Sequence, residues 1–175
     1  MSEIGAPAPA LELRDTGGEL RALPEPESAP ATVVVWTCNH CPYALAWHGR
    51  IVDAARDYGD RGVRFLAVNS NDSDRYPADS PEAMRERVER ENWPFPYLWD
   101  ETQEAARAWG ARVTPHLFVL DRDRRLAYEG APDADHRDPS QNAAWLRAAL
   151  DAVLAGSEPE PPSTEPVGCS VKWKS

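Results

Sequence analysis

The chain has 175 residues, a length that fits one domain large enough to bury a core. Hydrophobic residues make up 42% of the sequence, which is typical of globular proteins and not of disordered ones. The formal net charge of −10 argues against a nucleic acid or an anionic membrane as the partner, because both are negatively charged.

The N-terminal residues MSEIGAPAPALEL have neither a basic start nor an apolar run, so they do not resemble a signal peptide. No segment of the sequence approaches the uninterrupted apolar length that is needed to cross a bilayer. We therefore expect a cytoplasmic protein. Cysteines in that compartment rarely form a structural disulfide framework, which favours catalysis or metal binding as the role of the three present here.

The predicted elements begin with a β-hairpin. Its strands, Leu11–Arg14 and 19–22, flank the turn DTGG at 15–18. A proline-rich loop follows over residues 23–30. The β-branched run ATVVVW at 31–36 is typical of a strand that is buried on both faces of a sheet.

A helix, a strand and a second helix come next. Apolar residues recur every three or four positions from Pro42, which predicts a helix that ends near Gly59. The segment GVRFLAVNS at 62–70 is predicted to be another buried strand. Ser80, followed by proline and glutamate, has the pattern of a helix N-cap, and this helix runs to about Glu91.

The second half of the chain contains three more strands. Residues 96–99 and 116–121 are predicted strands, and a short helix between them is capped by Asp100 and stopped by Gly110. Another strand covers 125–130. Strands that alternate with helices in this way predict an α/β fold whose sheet is partly parallel and covered on both faces.

The chain ends with a helix and a tail. The helix is predicted over 139–156, and the SEPEPPSTEP segment after it is too rich in proline and acid to be other than extended. We therefore divide the chain into a domain at 1–156 and a C-terminal tail at 157–175. The last residues regain apolar side chains in alternation, which predicts that the tail docks on the domain as a short edge strand.

Two of the three cysteines, Cys38 and Cys41, form a C-x-x-C motif at the end of the first buried strand. This is the carboxyl edge of the predicted sheet, where open α/β folds place their sites. A thiolate is the form of cysteine that attacks a disulfide, and a helix N-terminus stabilises it. We expect Cys38 to lie at or just before the first helical turn and to have the lower pKa. Positive charge on His40 would favour its thiolate further.

A metal site is the alternative use of these cysteines. Zinc takes four ligands, and the sequence lacks a second C-x-x-C, so Cys169 and a distant histidine would have to complete the site. The acidic segment at 71–74 lacks the glycine and the later glutamate of a calcium loop. We therefore predict neither a metal nor another cofactor.

Cys169 lies in the predicted edge strand of the tail. A docked tail could bring its thiol to the active-site face, where it would exchange with a disulfide between Cys38 and Cys41. It could equally be an inert thiol. Both readings remain open.

The order of strand, C-x-x-C, helix and a later Thr-Pro before a strand resembles the thioredoxin-like fold. The resemblance implies that the bond between Thr114 and Pro115 is cis, that Pro115 faces the active disulfide, and that the backbone of Thr114 pairs with the substrate chain. The N-terminal hairpin resembles that of the redoxin branch. The motifs TCNHCPY, NSND and GCSVKW are similar to those of a peroxiredoxin-like group of bacterial thioredoxin-family proteins.

The sequence departs from these relatives at several positions. Thioredoxins bury an aspartate where this chain has Thr32, so the usual proton acceptor for the second thiol is missing; His116, after the Thr-Pro pair, could contribute instead. Peroxiredoxins have a P-x-x-x-T-x-x-C box. Aligning its cysteine with Cys41 puts Cys38 in place of the threonine and Val34 in place of the proline, so we do not expect efficient peroxide reduction.

The sequence therefore predicts a thiol–disulfide oxidoreductase with a thioredoxin-like fold. Cys38 would attack a substrate disulfide, Cys41 would resolve the mixed disulfide, and His40 would tune the potential. The expected partners are protein or small-molecule disulfides and a reductant that the sequence does not identify. The alternatives are a thiol peroxidase and a non-enzymatic redox sensor or metal-binding adaptor.

Overall fold

The structure is a computed structural model that describes residues 3–25 and 28–175. Nine strands and four α-helices follow one another along these residues, with short 3₁₀ helices at Pro77–Asp79 and Pro139–Gln141. The strands are β1 (Leu11–Arg14), β2 (Leu20–Leu23), β3 (Thr32–Trp36), β4 (Arg64–Asn69), β5 (Tyr97–Trp99), β6 (Val113–Thr114), β7 (His116–Leu120), β8 (Leu126–Gly130) and β9 (Cys169–Ser170). The helices are α1 (Pro42–Gly59), α2 (Pro81–Glu91), α3 (Glu104–Trp109) and α4 (Ala144–Leu154).

The central sheet has five strands in the order β5-β4-β3-β7-β8. The first three of these are parallel, β7 is antiparallel to β3, and β8 is antiparallel to β7. Every residue of β3 is buried, because its alternating side chains enter two separate apolar cores. Val33 and Val35 pack with the side chains of α1 and α4 on one face, while Val34 and Trp36 pack with α3 and the hairpin on the other. The predicted α/β architecture is confirmed.

The predicted N-terminal hairpin is present as β1 and β2, which pair antiparallel. Its turn is closed by Asp15, whose carboxylate accepts hydrogen bonds from the backbone of Gly17 and Glu19 at 2.8 and 2.9 Å. In the proline-rich loop predicted at 23–30, residues 26 and 27 lie outside the described part of the chain.

A buried ion pair fixes α1 against the loop that precedes α4. Arg50 of α1 donates to both carboxylate oxygens of Asp133 at 3.0 and 2.8 Å, and Trp47 donates to the same carboxylate at 2.8 Å. The backbone N–H of Ala143 donates to it at 2.9 Å. Because α1 carries the C-x-x-C motif at its start, these bonds also fix the orientation of the motif.

Two helices differ from the prediction at their ends. The helix predicted over 139–156 is divided, because Asn142 and Ala143 both have a φ of 53°, and the α-helix begins only at Ala144. The short helix α3 begins at Glu104, later than predicted, although the carboxylate of Asp100 still accepts hydrogen bonds from N–H groups of its first turn. Along residues 3–25 and 28–175, none of the helices combines the length and the hydropathy of a membrane span.

Candidate active site

The two cysteines of the C-x-x-C motif lie in the connection between β3 and α1. Both are buried, with exposed fractions of 1% for Cys38 and 0% for Cys41. The helix begins at Pro42, so that Cys41 is its N-cap residue and Cys38 lies three positions before this N-cap. Cys38 thus lies before the first helical turn, and the N-cap position belongs to Cys41.

Thr114 contacts both sulfur atoms. Its hydroxyl lies 3.4 Å from Cys38 Sγ, and its carbonyl oxygen accepts a hydrogen bond from Cys41 Sγ at 3.3 Å. The bond between Thr114 and Pro115 is cis, as the resemblance implied. The structure thus brings together four of the residues predicted to form the site: Cys38, Cys41, Thr114 and Pro115.

The two sulfurs differ in their electrostatic surroundings. The thiol of Cys38 lowers the pKa of Cys41, as do the N–H of Ala44 in the first turn of α1 and the thiol of Cys169. The neighbouring Cys41 raises the pKa of Cys38, as do burial and the carboxylate of Asp79. Burial of Cys41 acts in the opposite sense. Taken together, these contacts favour the thiolate at Cys41, whereas the sequence analysis expected the lower pKa at Cys38.

Asp79 is a member of the site that sequence reasoning missed. Its carboxylate is fully buried and accepts four hydrogen bonds: from His40 Nδ1 at 2.5 Å, from the backbone of Asn39 at 2.7 Å, and from the side chains of Asn69 and Asn71 at 3.0 and 3.1 Å. It lies at the end of a 3₁₀ turn in a loop with no recognisable motif, so the sequence offered no signal for it.

His40 lies where the prediction placed it, beside Cys38. One of its ring nitrogens, Cys38 Sγ and a carboxylate oxygen of Asp79 all lie within 4.8 Å of one another. The imidazole ring also stacks on Tyr76, with ring centres 5.2 Å apart and planes 5° apart. Cys38, His40 and Asp79 therefore form a compact cluster of a thiol, an imidazole and a carboxylate.

This cluster has the chemical make-up of a metal site, which the sequence analysis had not predicted at these residues. Thiolate, imidazole and carboxylate are all zinc ligands, and a fourth ligand completes a structural site. Both oxygens of Asp79 are already engaged by hydrogen-bond donors. A metal would have to displace some of these donors in order to bind.

Arg87 is the second residue that sequence reasoning missed. It is 4% exposed and donates to the carbonyl oxygen of Cys38 at 3.0 Å and to the side-chain oxygen of Asn39 at 2.9 Å. Tyr97 donates to the same oxygen of Asn39 at 2.9 Å. The guanidinium thus holds the backbone of the motif in place. Its position on α2, three residues after the buried Met84, was the available signal that it faces inward.

His116 does not join the thiols as the sequence analysis suggested. Its ring is buried between two other partners: Nδ1 accepts from the backbone N–H of Arg112 at 3.2 Å, and Nε2 lies 2.9 Å from the carboxylate of Glu129. Thr32, at the position of the aspartate that thioredoxins bury, is itself buried in β3. The buried carboxylate of this site therefore comes from Asp79.

The C-terminal tail passes directly in front of the two cysteines. Cys169 and Ser170 form β9, which pairs antiparallel with β6, and Cys169 lies opposite Thr114. The Cys169 side chain is half-buried and packs against the cluster formed by Cys38, Cys41 and Ala44. The backbone edge that was predicted to receive a substrate chain is thus occupied by the protein's own tail.

Comparisons with known proteins show what the chain is similar to. The sequence profile described as the AhpC/TSA family matches residues 4–129. No curated protein matches the chain.

Solved structures match it over nearly its full length. An uncharacterized conserved protein from Geobacillus kaustophilus is 40% identical, with a TM-score of 0.92, and the match covers 99% of this chain and 94% of that protein. A hypothetical protein from Sinorhizobium meliloti is 35% identical, with a TM-score of 0.93 and a coverage of 100% and 97%.

A more distant match gives the fold alone. A thiol:disulfide interchange protein of the thioredoxin family from Chlorobium tepidum is 15% identical, with a TM-score of 0.63, over 82% of this chain and 97% of that protein. The thioredoxin-like fold predicted from the sequence is confirmed.

Proposed function

The chain belongs to the AhpC/TSA family, and from this premise we propose that it is a thiol–disulfide oxidoreductase whose reacting couple is Cys38 and Cys41. The proposal is carried by one observation: two buried sulfurs lie close to the start of α1, and both contact Thr114. Family membership supports an oxidoreductase of either the disulfide or the peroxide type. The disulfide type is favoured, because Cys38 and Val34 replace the threonine and the proline of the peroxiredoxin box.

The reaction begins at Cys41, where the thiol of Cys38 and the helix N-terminus favour the thiolate. The thiolate attacks one sulfur of a substrate disulfide; a bond forms between Cys41 and the substrate, the substrate S–S bond breaks, and one substrate thiolate leaves. Cys38 then attacks Cys41 Sγ and releases the second substrate thiolate. The substrate disulfide is reduced to two thiols, and the two cysteines are oxidised to a disulfide.

Cys38 must lose its proton in the second step. Asp79 accepts a hydrogen bond from His40 Nδ1, which leaves Nε2 of the imidazole as a proton acceptor. A ring nitrogen of His40 lies within 4.8 Å of Cys38 Sγ. We therefore assign the pair of His40 and Asp79 the role of proton acceptor, which the sequence analysis could not assign.

The substrates we propose are protein or small-molecule disulfides in the cytoplasm. An external reductant must restore the dithiol after each turnover, since the couple ends the cycle oxidised.

Turnover measurements with two substrates test the proposal. Reduced protein is supplied with dithiothreitol and given either insulin or hydrogen peroxide. We expect catalysed insulin reduction in the wild type, and a fall to the uncatalysed rate when either Cys38 or Cys41 is replaced by serine. Asp74→Asn, an exposed change in a neighbouring loop, is the matched control and should leave turnover unchanged.

The same experiment separates the rival functions. Peroxide consumption that outruns insulin reduction identifies a thiol peroxidase. A reduced protein that turns over neither substrate fits the redox sensor instead. Stoichiometric zinc in the reduced wild type, lost in Asp79→Asn, points to the metal-binding adaptor.

A further inference from the structure

The C-terminal tail is fixed to the domain upstream of Cys169. The hydroxyl of Thr164 lies 2.7 Å from that of Tyr128 and accepts a hydrogen bond from the backbone of Ala131 at 3.0 Å. The backbone N–H of Thr164 donates to the carbonyl oxygen of Glu129 at 3.0 Å. Gly130 permits this approach, because a Cβ there would lie 2.1 Å from the Thr164 hydroxyl.

The tail is fixed again immediately after Cys169. Val171 is buried, and its N–H donates to the carbonyl oxygen of Arg112 at 3.0 Å. The backbone of Lys172 donates to Asn71 at 2.8 Å and accepts from Gln103 at 2.9 Å. The segment that carries Cys169 is thus held from both sides.

Between these anchors, Gly168 lies against the backbone of Thr114. A Cβ at position 168 would lie 2.0 Å from the carbonyl oxygen of Thr114 and 2.7 Å from its carbonyl carbon. Since both of these atoms belong to the backbone, a larger residue cannot be accommodated by turning a side chain. Glycine at this position is therefore a requirement for the tail to pair with β6.

The pairing places three thiols in one cluster. Both sulfurs of the motif contact Thr114, and Cys169 lies opposite Thr114 in the pair of β6 and β9. All three lie in a single apolar cluster with Ala44. Cys41 packs in one cluster with both other thiols, which places it to form a disulfide with either of them.

We propose that the tail acts as an internal substrate strand and that Cys169 is a third redox thiol, which exchanges with the disulfide between Cys38 and Cys41. Cys169 attacks Cys41 Sγ, a bond between Cys41 and Cys169 forms, and the bond between Cys38 and Cys41 breaks. Cys38 leaves as the thiolate and takes up the proton that Cys169 releases. No external oxidant is needed, because one disulfide and one thiol are present before and after the step.

This role rests on the proposed function and extends it. The tail occupies the Thr114 edge, so an external substrate strand has to displace it. A disulfide between Cys41 and Cys169 locks the tail in place and closes the site to protein substrates. Attack by Cys38 reopens it. Access to the site thus depends on whether Cys41 forms a disulfide with Cys169.

The first test uses Cys38→Ser, in which Cys41 has lost its partner in the motif. The variant is oxidised with diamide, quenched with acid and mapped by mass spectrometry. We expect an intramolecular disulfide between Cys41 and Cys169 as the first product. If Cys169 remains free while Cys41 forms intermolecular disulfides, the third-thiol role is wrong.

A second variant tests the tail without removing any thiol. The double variant Cys38→Ser, Gly168→Ala should form the disulfide between Cys41 and Cys169 at least about tenfold more slowly than Cys38→Ser alone. The reason is that a displaced tail lowers the effective concentration of Cys169 near Cys41. Adding Gly49→Ala instead is the matched control, since a Cβ at that exposed helical position meets nothing within 4 Å. Equal rates for Gly168→Ala and Gly49→Ala would overturn the proposal.

Cys169→Ser separates this proposal from the proposed function. If the wild type and Cys169→Ser both reduce insulin but the disulfide between Cys41 and Cys169 never forms, the third thiol is wrong and the oxidoreductase stands. If that disulfide forms while neither protein reduces insulin, the thiol contact is right and the proposed function fails.

Discussion

Replacing Asp79 by asparagine removes the buried negative charge beside Cys38. A carboxylate oxygen of Asp79 lies within 4.8 Å of Cys38 Sγ. At that distance and an effective dielectric constant of about 20, two unit charges repel each other by about 3.5 kcal/mol. This energy corresponds to about 2.5 pKa units. The surrounding hydrogen-bond donors and nearby solvent screen part of it, so we expect the pKa of Cys38 to fall by about one unit or more.

The assay is the rate of alkylation by iodoacetamide as a function of pH. It is run in a Cys41→Ser, Cys169→Ser background, so that Cys38 is the only thiol. Before the change at Asp79, the inflection should lie above the free-cysteine value of about 8.5, because burial and Asp79 both disfavour the thiolate. Asp79→Asn should move it to lower pH.

Asp74→Asn, in the exposed part of the same loop, is the control and should leave the inflection where it was. Circular dichroism must show that both variants are folded, since asparagine at position 79 turns an amide donor toward the donors that the carboxylate accepted. An inflection that stays in place or rises in a folded Asp79→Asn protein would refute the electrostatic role given to Asp79.

The remaining predictions concern stability. Burial lowers the pKa of His48 to about 4 from an ordinary value of 6.5. Between these pH values the unfolded chain binds a proton there and the folded chain does not, so the free energy of unfolding should fall by up to about 3 kcal/mol as the pH drops from 6.5 to 4. Urea unfolding over this pH range should show a smaller fall in His48→Gln; equal slopes would contradict the assignment. Asp133→Asn breaks the buried pair with Arg50 and should destabilise the protein by about 3 kcal/mol or more, whereas Asp123→Asn, an exposed control, should leave the urea midpoint unchanged. A midpoint in Asp133→Asn that matches its control would show that the pair is not structural.

Local patterns in the sequence were sufficient for the elements that carry the two cysteines. The β-branched run of β3 and the helical periodicity of α1 are both continuous, so their packing faces can be read from neighbouring residues. The prediction of one continuous helix over 139–156 was wrong at its start, because α4 begins only at Ala144. Asparagine adopts a positive φ more readily than most residues, but the residue type of Ala143 does not indicate one, and the two together delay the start of α4.

The rest of the site could not be predicted because it is assembled across the chain. Asp79 lies 39 positions from its partner His40, and Arg87 lies 49 positions from Cys38, whose carbonyl oxygen it binds. Neither contact leaves a periodic signal. The sequence also did not show which cysteine is the N-cap residue of α1, because the spacing of the motif is compatible with a helix that begins at either cysteine. The order of the two cysteine pKa values depends on which of them is the N-cap.

The alternation of apolar residues in the tail did indicate a strand. Its partner, β6, has only two residues and no strand pattern of its own, so the pairing of Cys169 with Thr114 was not predictable. The close approach at Gly168 depends on that pairing and became visible only in the structure.

In the proposed mechanism, Cys41 is the thiol that attacks the substrate disulfide. Two proteins with a single cysteine decide this: Cys38→Ser, Cys169→Ser keeps Cys41, and Cys41→Ser, Cys169→Ser keeps Cys38. The measurement is the second-order rate constant of each with a small aromatic disulfide at neutral pH. We predict that the Cys41 protein reacts faster, since the N–H of Ala44 still favours its thiolate in this background, whereas burial and Asp79 still disfavour the thiolate of Cys38. A faster reaction of the Cys38 protein would contradict the account and restore the order of attack that the sequence alone suggested.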